Sequence, residues 1–276
     1  MKQNGSVFPD RQRRRVALVA GASKGLGKAT VDYFRSRGWS VAATVRDPLN
    51  LRLERSDSDL FGVRLDFSDH ESVRNAVAEV EERFGHIDVL VNNVGTGHAG
   101  PLEAMEIPTL QKHFETNVLG AILVAQAVLP GMRLRHAGTI VNVISIAGQL
   151  GMPFMAPYTA ANSALEGLAE SWSYELAPFG IKVRLVESAG IRIGFQHEWT
   201  SVAPYERDVS AIRQNMTEMA PEPLLPEKVA SVIYRAAVTP RSKLRFRTDD
   251  AYALILIKSL LPDSIGQALL RRMFLK

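Results

Sequence analysis

Gly21, Gly25 and Gly27 follow a short apolar run, Val16–Ala20, and lead into a helical pattern over Gly27–Arg37. Strand, glycine turn and helix is the arrangement that sets a helix N-terminus against a pyrophosphate. Side chains at the glycines would hold the backbone N–H groups away from the phosphate oxygens. The spacing is G-x-x-x-G-x-G, and Ser23, Lys24 and Leu26 complete the loop. A second apolar run ends in Thr44-Val45-Arg46. Folds that use NAD place an acid near this point to hold the ribose 2′-hydroxyl. Here Val45 occupies that place and Arg46 follows it. Two cations, Lys24 and Arg46, and no acid suit a 2′-phosphate, which a guanidinium grips bidentately. NADP(H) is therefore expected over NAD(H). Asp66, with Phe67 after it, is placed to accept from the adenine amino group. Asn92, Asn93 and Gly95, closing a fourth apolar run, offer amide and backbone groups to the adenine ribose.

These residues need a sheet edge to gather them. Strands are expected at Val16–Ala20, Ser40–Val45, Gly62–Leu65, Val89–Asn92, Thr139–Ser145, Lys182–Val186 and Leu244–Thr248. Helical patterns fill the gaps at Gly27–Arg37, Asp69–Phe84, Thr109–Arg135, Tyr158–Ala177 and Pro226–Ala237, with Ser68 as a cap for the second. Near-continuous apolar strands alternating with helices predict an α/β fold with a doubly wound parallel sheet and helices on both faces. One domain is expected over residues 15–276, after a flexible tail at residues 1–14. The irregular stretch 194–226 follows a sheet strand and reads as a lid over the substrate. The leucine-rich C-terminal segment 251–276 reads as a helix packed on its own fold or on a partner subunit, in preference to a membrane surface.

Composition excludes several classes. The 276 residues contain no cysteine, so there is no disulfide, thiolate metal site or cysteine nucleophile. A reducing, cytoplasmic setting is expected. The six histidines, at 70, 86, 98, 113, 136 and 197, have no metal-ligand spacing. No apolar run approaches the ~20 residues of a membrane span, and the N-terminus lacks the apolar core of a secretory signal. The net charge is +4, without the basic stripe and interleaved aromatics of a nucleic-acid surface.

The sequence resembles the short-chain dehydrogenase/reductase family over residues 15–250. The resemblance rests on Gly21-x-x-x-Gly25-Leu26-Gly27, Leu65-Asp66, Asn92-Asn93-Val94-Gly95, Asn117, Ser145 and Tyr158. It implies a Rossmann-type, seven-stranded parallel sheet and NAD(P)-linked interconversion of an alcohol and a carbonyl. Gly100-Pro101-Leu102 and the text from Tyr174 to Gly180 resemble the branch acting on lipid-like or steroid-like compounds. By resemblance, Tyr158 is the proton donor, Ser145 the group that polarises the carbonyl, and Asn117 the support for a proton-relaying water. The family's lysine four residues after the tyrosine is replaced by Asn162, whose amide is left as a neutral ribose contact. Arg192 is a candidate for the missing cation. The family's Pro-Gly and threonine after the sixth strand are replaced by Ser188, Ala189 and Ile193, and Ala189, Gly190 and Ile191 are expected to line the nicotinamide. The expectation is an NADP(H)-dependent oxidoreductase acting on a hydrophobic alcohol or its ketone or aldehyde, with its nicotinamide end held atypically. The alternative is a non-catalytic NADP-binding protein. The resemblance also implies a homodimer or homotetramer built through the helices at Thr109–Arg135 and Tyr158–Ala177.

Overall fold

The structure, a computed structural model, describes residues 14–47, 58–189, 197–218 and 224–275. The chain alternates strand and helix from the start: β1 (Val16–Ala20), α1 (Gly25–Ser36), β2 (Ser40–Val45), β3 (Leu60–Arg64), α2 (His70–Phe84) and β4 (Val89–Asn92). A short strand β5 (Gly97–Ala99) then precedes α3 (Ile107–Phe114) and α4 (Gly120–Leu134). After them come β6 (Gly138–Ser145), α5 (Ala156–Leu176), β7 (Ile181–Ser188) and a short β8 (His197–Trp199). The chain continues through α6 (Glu206–Glu218), α7 (Pro226–Val238), β9 (Arg245–Arg247), α8 (Asp249–Leu260) and α9 (Asp263–Phe274).

Among the described residues the main sheet has seven strands in the order β3-β2-β1-β4-β6-β7-β9, with every neighbouring pair parallel. The order reverses between β1 and β4, so the crevice at their carboxyl ends is where such folds bind ligands. Each central strand is buried on both faces, which explains its near-continuous apolar sequence. Ala17 and Val19 of β1 pack towards α1 and α7. Val16, Leu18 and Ala20 pack towards α2 and α4. Leu165 and Ala169 of α5 meet Ile144, Val183 and Leu185 beside them.

Several expectations are corrected. The N-cap of α2 is Asp69, not Ser68: its carboxylate accepts from the Glu71 and Ser72 amides, both at 3.0 Å. Ser68 instead donates to Asp66. The single helix expected over Thr109–Arg135 begins at Ile107 and is broken by a π-helical turn at Glu115–Leu119. Such turns insert a residue into the helical ladder and recur at functional sites. By length and composition Ile107–Leu134 is long and apolar enough to cross a membrane, contrary to the sequence reading. Here Val124, Ala125, Val128 and Met132 place its inner face in the core.

The stretch expected to be an irregular lid holds an ordered strand, β8, and the thirteen-residue helix α6. β8 does not join the main sheet but pairs in parallel with β5. The C-terminal segment forms α8 and α9; α9 docks on α6, where Asn215 Nδ2 donates to the Phe274 carbonyl at 3.0 Å. α8 leaves Tyr252, Leu256, Ile257 and Leu260 exposed. Residues 1–13 of the expected tail lie outside the described residues, as do Gly190, Ile191, Arg192 and Ile193.

Candidate active site

The loop after β1 is built for an anion. α1 opens at Gly25 behind Lys24, with no side-chain cap and no acid in its first turn. Its first amides therefore have no side-chain partner among the described residues, and the positive end of the helix dipole faces the loop. Gly27 is forced to be small, since a Cβ there would lie 1.9 Å from the Gly21 carbonyl oxygen. Thr44, at the end of β2, holds the loop: its hydroxyl accepts from the Gly21 amide at 3.3 Å and its carbonyl from the Ala22 amide at 2.9 Å. Asn93 adds a bond from Nδ2 to the Gly21 carbonyl, 3.4 Å. Ser23 and Lys24 are exposed, while Leu26 is buried in the core.

Arg46 is exposed past the end of β2, near Asp66. The Asp66 carboxyl sits below its usual pKa because the Ser68 hydroxyl and amide donate to it, with Arg46 adding attraction. It is ionised and still half-buried beside the crevice. Two expected cofactor residues turn inward instead. Asn92 directs its amide to Asn142 Oδ1 (2.9 Å) and the Ala121 carbonyl (3.3 Å), in the interior. Phe67 packs its ring over Gly120. A dinucleotide's adenine half thus fits the loop, Arg46, Asp66, Asn93 and the backbone near Gly95, but not the Asn92 amide or the Phe67 ring.

The second half of the site forms where β6 ends and α5 begins. Ser145 is the last residue of β6, and its oxygen accepts from the Ala147 amide at 3.1 Å. That leaves the hydroxyl proton for donation. Tyr158, in the first turn of α5, is hydrogen-bonded to the side chains of Ser145 and Asn162. Burial pushes its phenol above the usual pKa, and those two hydrogen bonds pull it partly back. The phenol is consequently neutral and proton-bearing at ordinary pH.

Asn162 does not stand ready as a ribose contact. It is 7% exposed, its Oδ1 accepts from the Ser145 amide and its Nδ2 donates to the Tyr158 carbonyl, both at 2.8 Å. Its amide staples the end of β6 to the first turn of α5. The lysine's charge is absent, and a structural cross-link stands in its place. Ala189 is half-buried just past β7. Beside it the buried Glu187 is held by Arg247 at 2.5 Å and Arg245 at 3.4 Å. Burial raises the Glu187 carboxyl while Arg247 opposes it.

Asn117, in the π-turn, is also committed. Its Oδ1 accepts from the Thr96 amide at 2.7 Å and its Nδ2 donates to the Thr96 carbonyl at 2.9 Å. The residues that sequence reasoning missed are three histidines gathered around these groups. His113 sits against Asn117, and its ring meets His98 edge-on, centroids 5.2 Å apart. His197 meets Tyr158 edge-on at 5.0 Å. The β5–β8 ladder sets His197 opposite Gly97, where a Cβ would lie 2.2 Å from its Nδ1. Burial, followed by the neighbouring histidines, holds His197 at about 4; burial and His98 hold His113 at about 4. Both are neutral at pH 7. Among the described residues no cluster of histidines and carboxylates has the form of a metal site. An open groove is lined by Pro101, Leu102, Glu103, Phe154, Ala156 and Tyr205.

A family model described as short chain dehydrogenase matches residues 15–203. Estradiol 17-beta-dehydrogenase 1 of Rattus norvegicus is 36% identical over 253 residues, covering 84% of this chain and 72% of that protein. Retinol dehydrogenase 8 of Bos taurus is 32% identical over 272 residues, covering 90% and 86%. A solved short-chain dehydrogenase from Streptomyces avermitilis superposes with a TM-score of 0.81 at 32% identity, over 93% of this chain and 95% of that one.

Proposed function

This chain belongs to the short chain dehydrogenase family of oxidoreductases, and we propose that it is an NADP(H)-dependent member interconverting a hydrophobic alcohol and its ketone or aldehyde. The observation that carries this reading is the meeting of the Ser145 and Tyr158 side chains at the sheet edge, in the same crevice system as the uncapped α1 terminus. The dinucleotide, when bound, supplies or accepts the hydride. Ser145 turns its hydroxyl proton towards a carbonyl oxygen and stabilises the charge that grows there. Tyr158, neutral and half-buried, gives its proton to that oxygen as general acid. Asn162 holds both groups in place without adding charge. Arg46 and Lys24, with no acid at Val45, favour the 2′-phosphate of NADP.

The largely apolar lining of the groove, with Leu102 69% exposed and Glu103 its carboxylate, suits an apolar substrate. We assign the lid role to β8 and α6. Exposed Leu119, Leu134 and Tyr174 on the π-turn, α4 and α5 support a homodimer or homotetramer through those helices. A chain without cysteine suits the cytoplasm.

The test is reduction of estrone and of all-trans-retinal with NADPH or NADH, followed by loss of reduced-cofactor absorbance. NADPH should be preferred, and Tyr158→Phe should lower the rate by about 100-fold or more. A Tyr158→Phe variant as fast as the native protein overturns the catalytic assignment. Equal use of both cofactors, unchanged by Arg46→Glu, overturns the NADP assignment.

A further inference from the structure

His113 is fully buried and lies where three parts of the site meet. It precedes Asn117 by four residues, on the same helical face. Asn117 Nδ2 is 3.1 Å from both ring nitrogens, and Thr96 Oγ1 is 3.3 Å from Nδ1. The ring also faces the carbonyl of Pro157, the residue immediately before Tyr158. A carbonyl only accepts, so the ring nitrogen facing Pro157 carries the proton. The other nitrogen then accepts from the Thr96 hydroxyl or the Asn117 amide. A neutral imidazole satisfies both sides at once, whereas an imidazolium has no acceptor to offer. Burial and His98 keep it neutral.

Asn117 takes its remaining bonds from the Thr96 backbone. Asn162 ties the far side of Tyr158 to Ser145. Tyr158 is thus set from two directions by uncharged groups, one inside α5 and one reaching it through Pro157.

We propose that His113 is a positioning residue: its imidazole locks the π-turn bearing Asn117 to the first turn of α5, and so fixes where the Tyr158 hydroxyl stands relative to Ser145 and Asn117. The proposal rests on Tyr158 acting as the proton donor. His113→Phe keeps a buried ring but removes both bonds, and His113→Gln restores one donor and one acceptor. A misplacement of about 1 Å is enough for a rate loss of about 100-fold. His113→Phe is therefore expected to lower kcat for estrone reduction by about that factor, leaving the KM for NADPH within about twofold. His113→Gln should recover most of kcat. A crystal structure of His113→Phe should show the Tyr158 hydroxyl moved off Ser145 while the Gly21–Gly27 loop keeps its place.

Native kcat in His113→Phe, an unmoved Tyr158 in its crystal structure, or a His113→Gln variant as slow as His113→Phe would each overturn the proposal. If His113→Phe does not fold, His113→Met takes its place. Tyr158→Phe, assayed alongside, separates the two claims. If it is fully active, the catalytic reading fails; if it is inactive while His113→Phe is active, only the role of His113 fails. The crystallographic readout holds whether or not either probe is turned over.

Discussion

Asn162→Lys puts two effects of known sign in opposition. The native amide accepts from the Ser145 N–H and donates to the Tyr158 carbonyl, both at 2.8 Å. A lysine cannot accept, so the partly buried Ser145 amide loses its partner at a cost of about 1–3 kcal/mol. For a chain of this size each kcal/mol lowers the melting temperature by about 2–4 °C. The variant should therefore melt about 2–12 °C below the native protein. Against this, residues four apart on a helix stand about 5–6 Å apart. At an effective dielectric of about 20, a cation at that distance favours the phenolate by about 3 kcal/mol, or about two pKa units. The Tyr158 phenol, raised by burial in the native site, should fall by about that much. The assay is a spectroscopic titration of the phenol, taken as the difference between Asn162→Lys and the same variant carrying Tyr158→Phe. Alcohol oxidation, which needs the phenolate, should gain more than carbonyl reduction. Asn162→Ala should reproduce the thermal loss without the pKa change. A phenol unmoved by the new charge, or a variant more stable than the native protein, would refute the account of Asn162 as a neutral staple.

The buried histidines make stability acid-sensitive. His113 and His197 lie near 4 in the folded chain against an ordinary value of 6.5, so the unfolded chain binds protons first as pH falls. The stability they contribute is complete above about pH 6.5 and is lost as pH falls towards 4, about 3 kcal/mol of it from fully buried His113. Urea unfolding at pH 7, 5.5 and 4 should show the loss, and His113→Gln should flatten it; parallel profiles would contradict the assignment. Removing the α2 cap by Asp69→Ala should cost about 1 kcal/mol and lower the melting temperature by about 2–4 °C, whereas an unchanged melting curve would mean that the two cap bonds contribute nothing net.

Much of the sheet could be read from the chain because its central strands are buried on both faces. Val16–Ala20, Ser40–Val45 and Val89–Asn92 end where their apolar runs end. Elements set by distant partners were not legible. β5 and β8 are three residues each and lie about a hundred positions apart; only their pairing makes them strands. The π-turn leaves no mark in a continuous apolar helix pattern. Polar side chains were legible as types but not as directions. Asn92 and Asn162 looked like ligand contacts, yet each turns its amide to the protein, where a buried polar group must find a partner. His113 carried one readable signal, its place four residues before Asn117, but a search for metal spacing passes over it.

The β5–β8 pair also bears on which molecules reach Tyr158. His197 lies against the tyrosine ring from β8, and β8 is fastened to β5 by its parallel ladder and by the Thr200 amide on the Ala99 carbonyl at 2.9 Å. A ligand that displaces His197 by pushing β8 aside must first part this ladder, a local unfolding step with a free energy of its own. If the parted form is populated at about 1%, apparent affinity for such a ligand is about 100-fold weaker than its intrinsic affinity. A slim ligand that slides along the groove beside Phe154 escapes that penalty. Discrimination by girth is then set by main-chain pairing remote from the reacting atoms, and a change in either short strand would retune it without altering the chemistry.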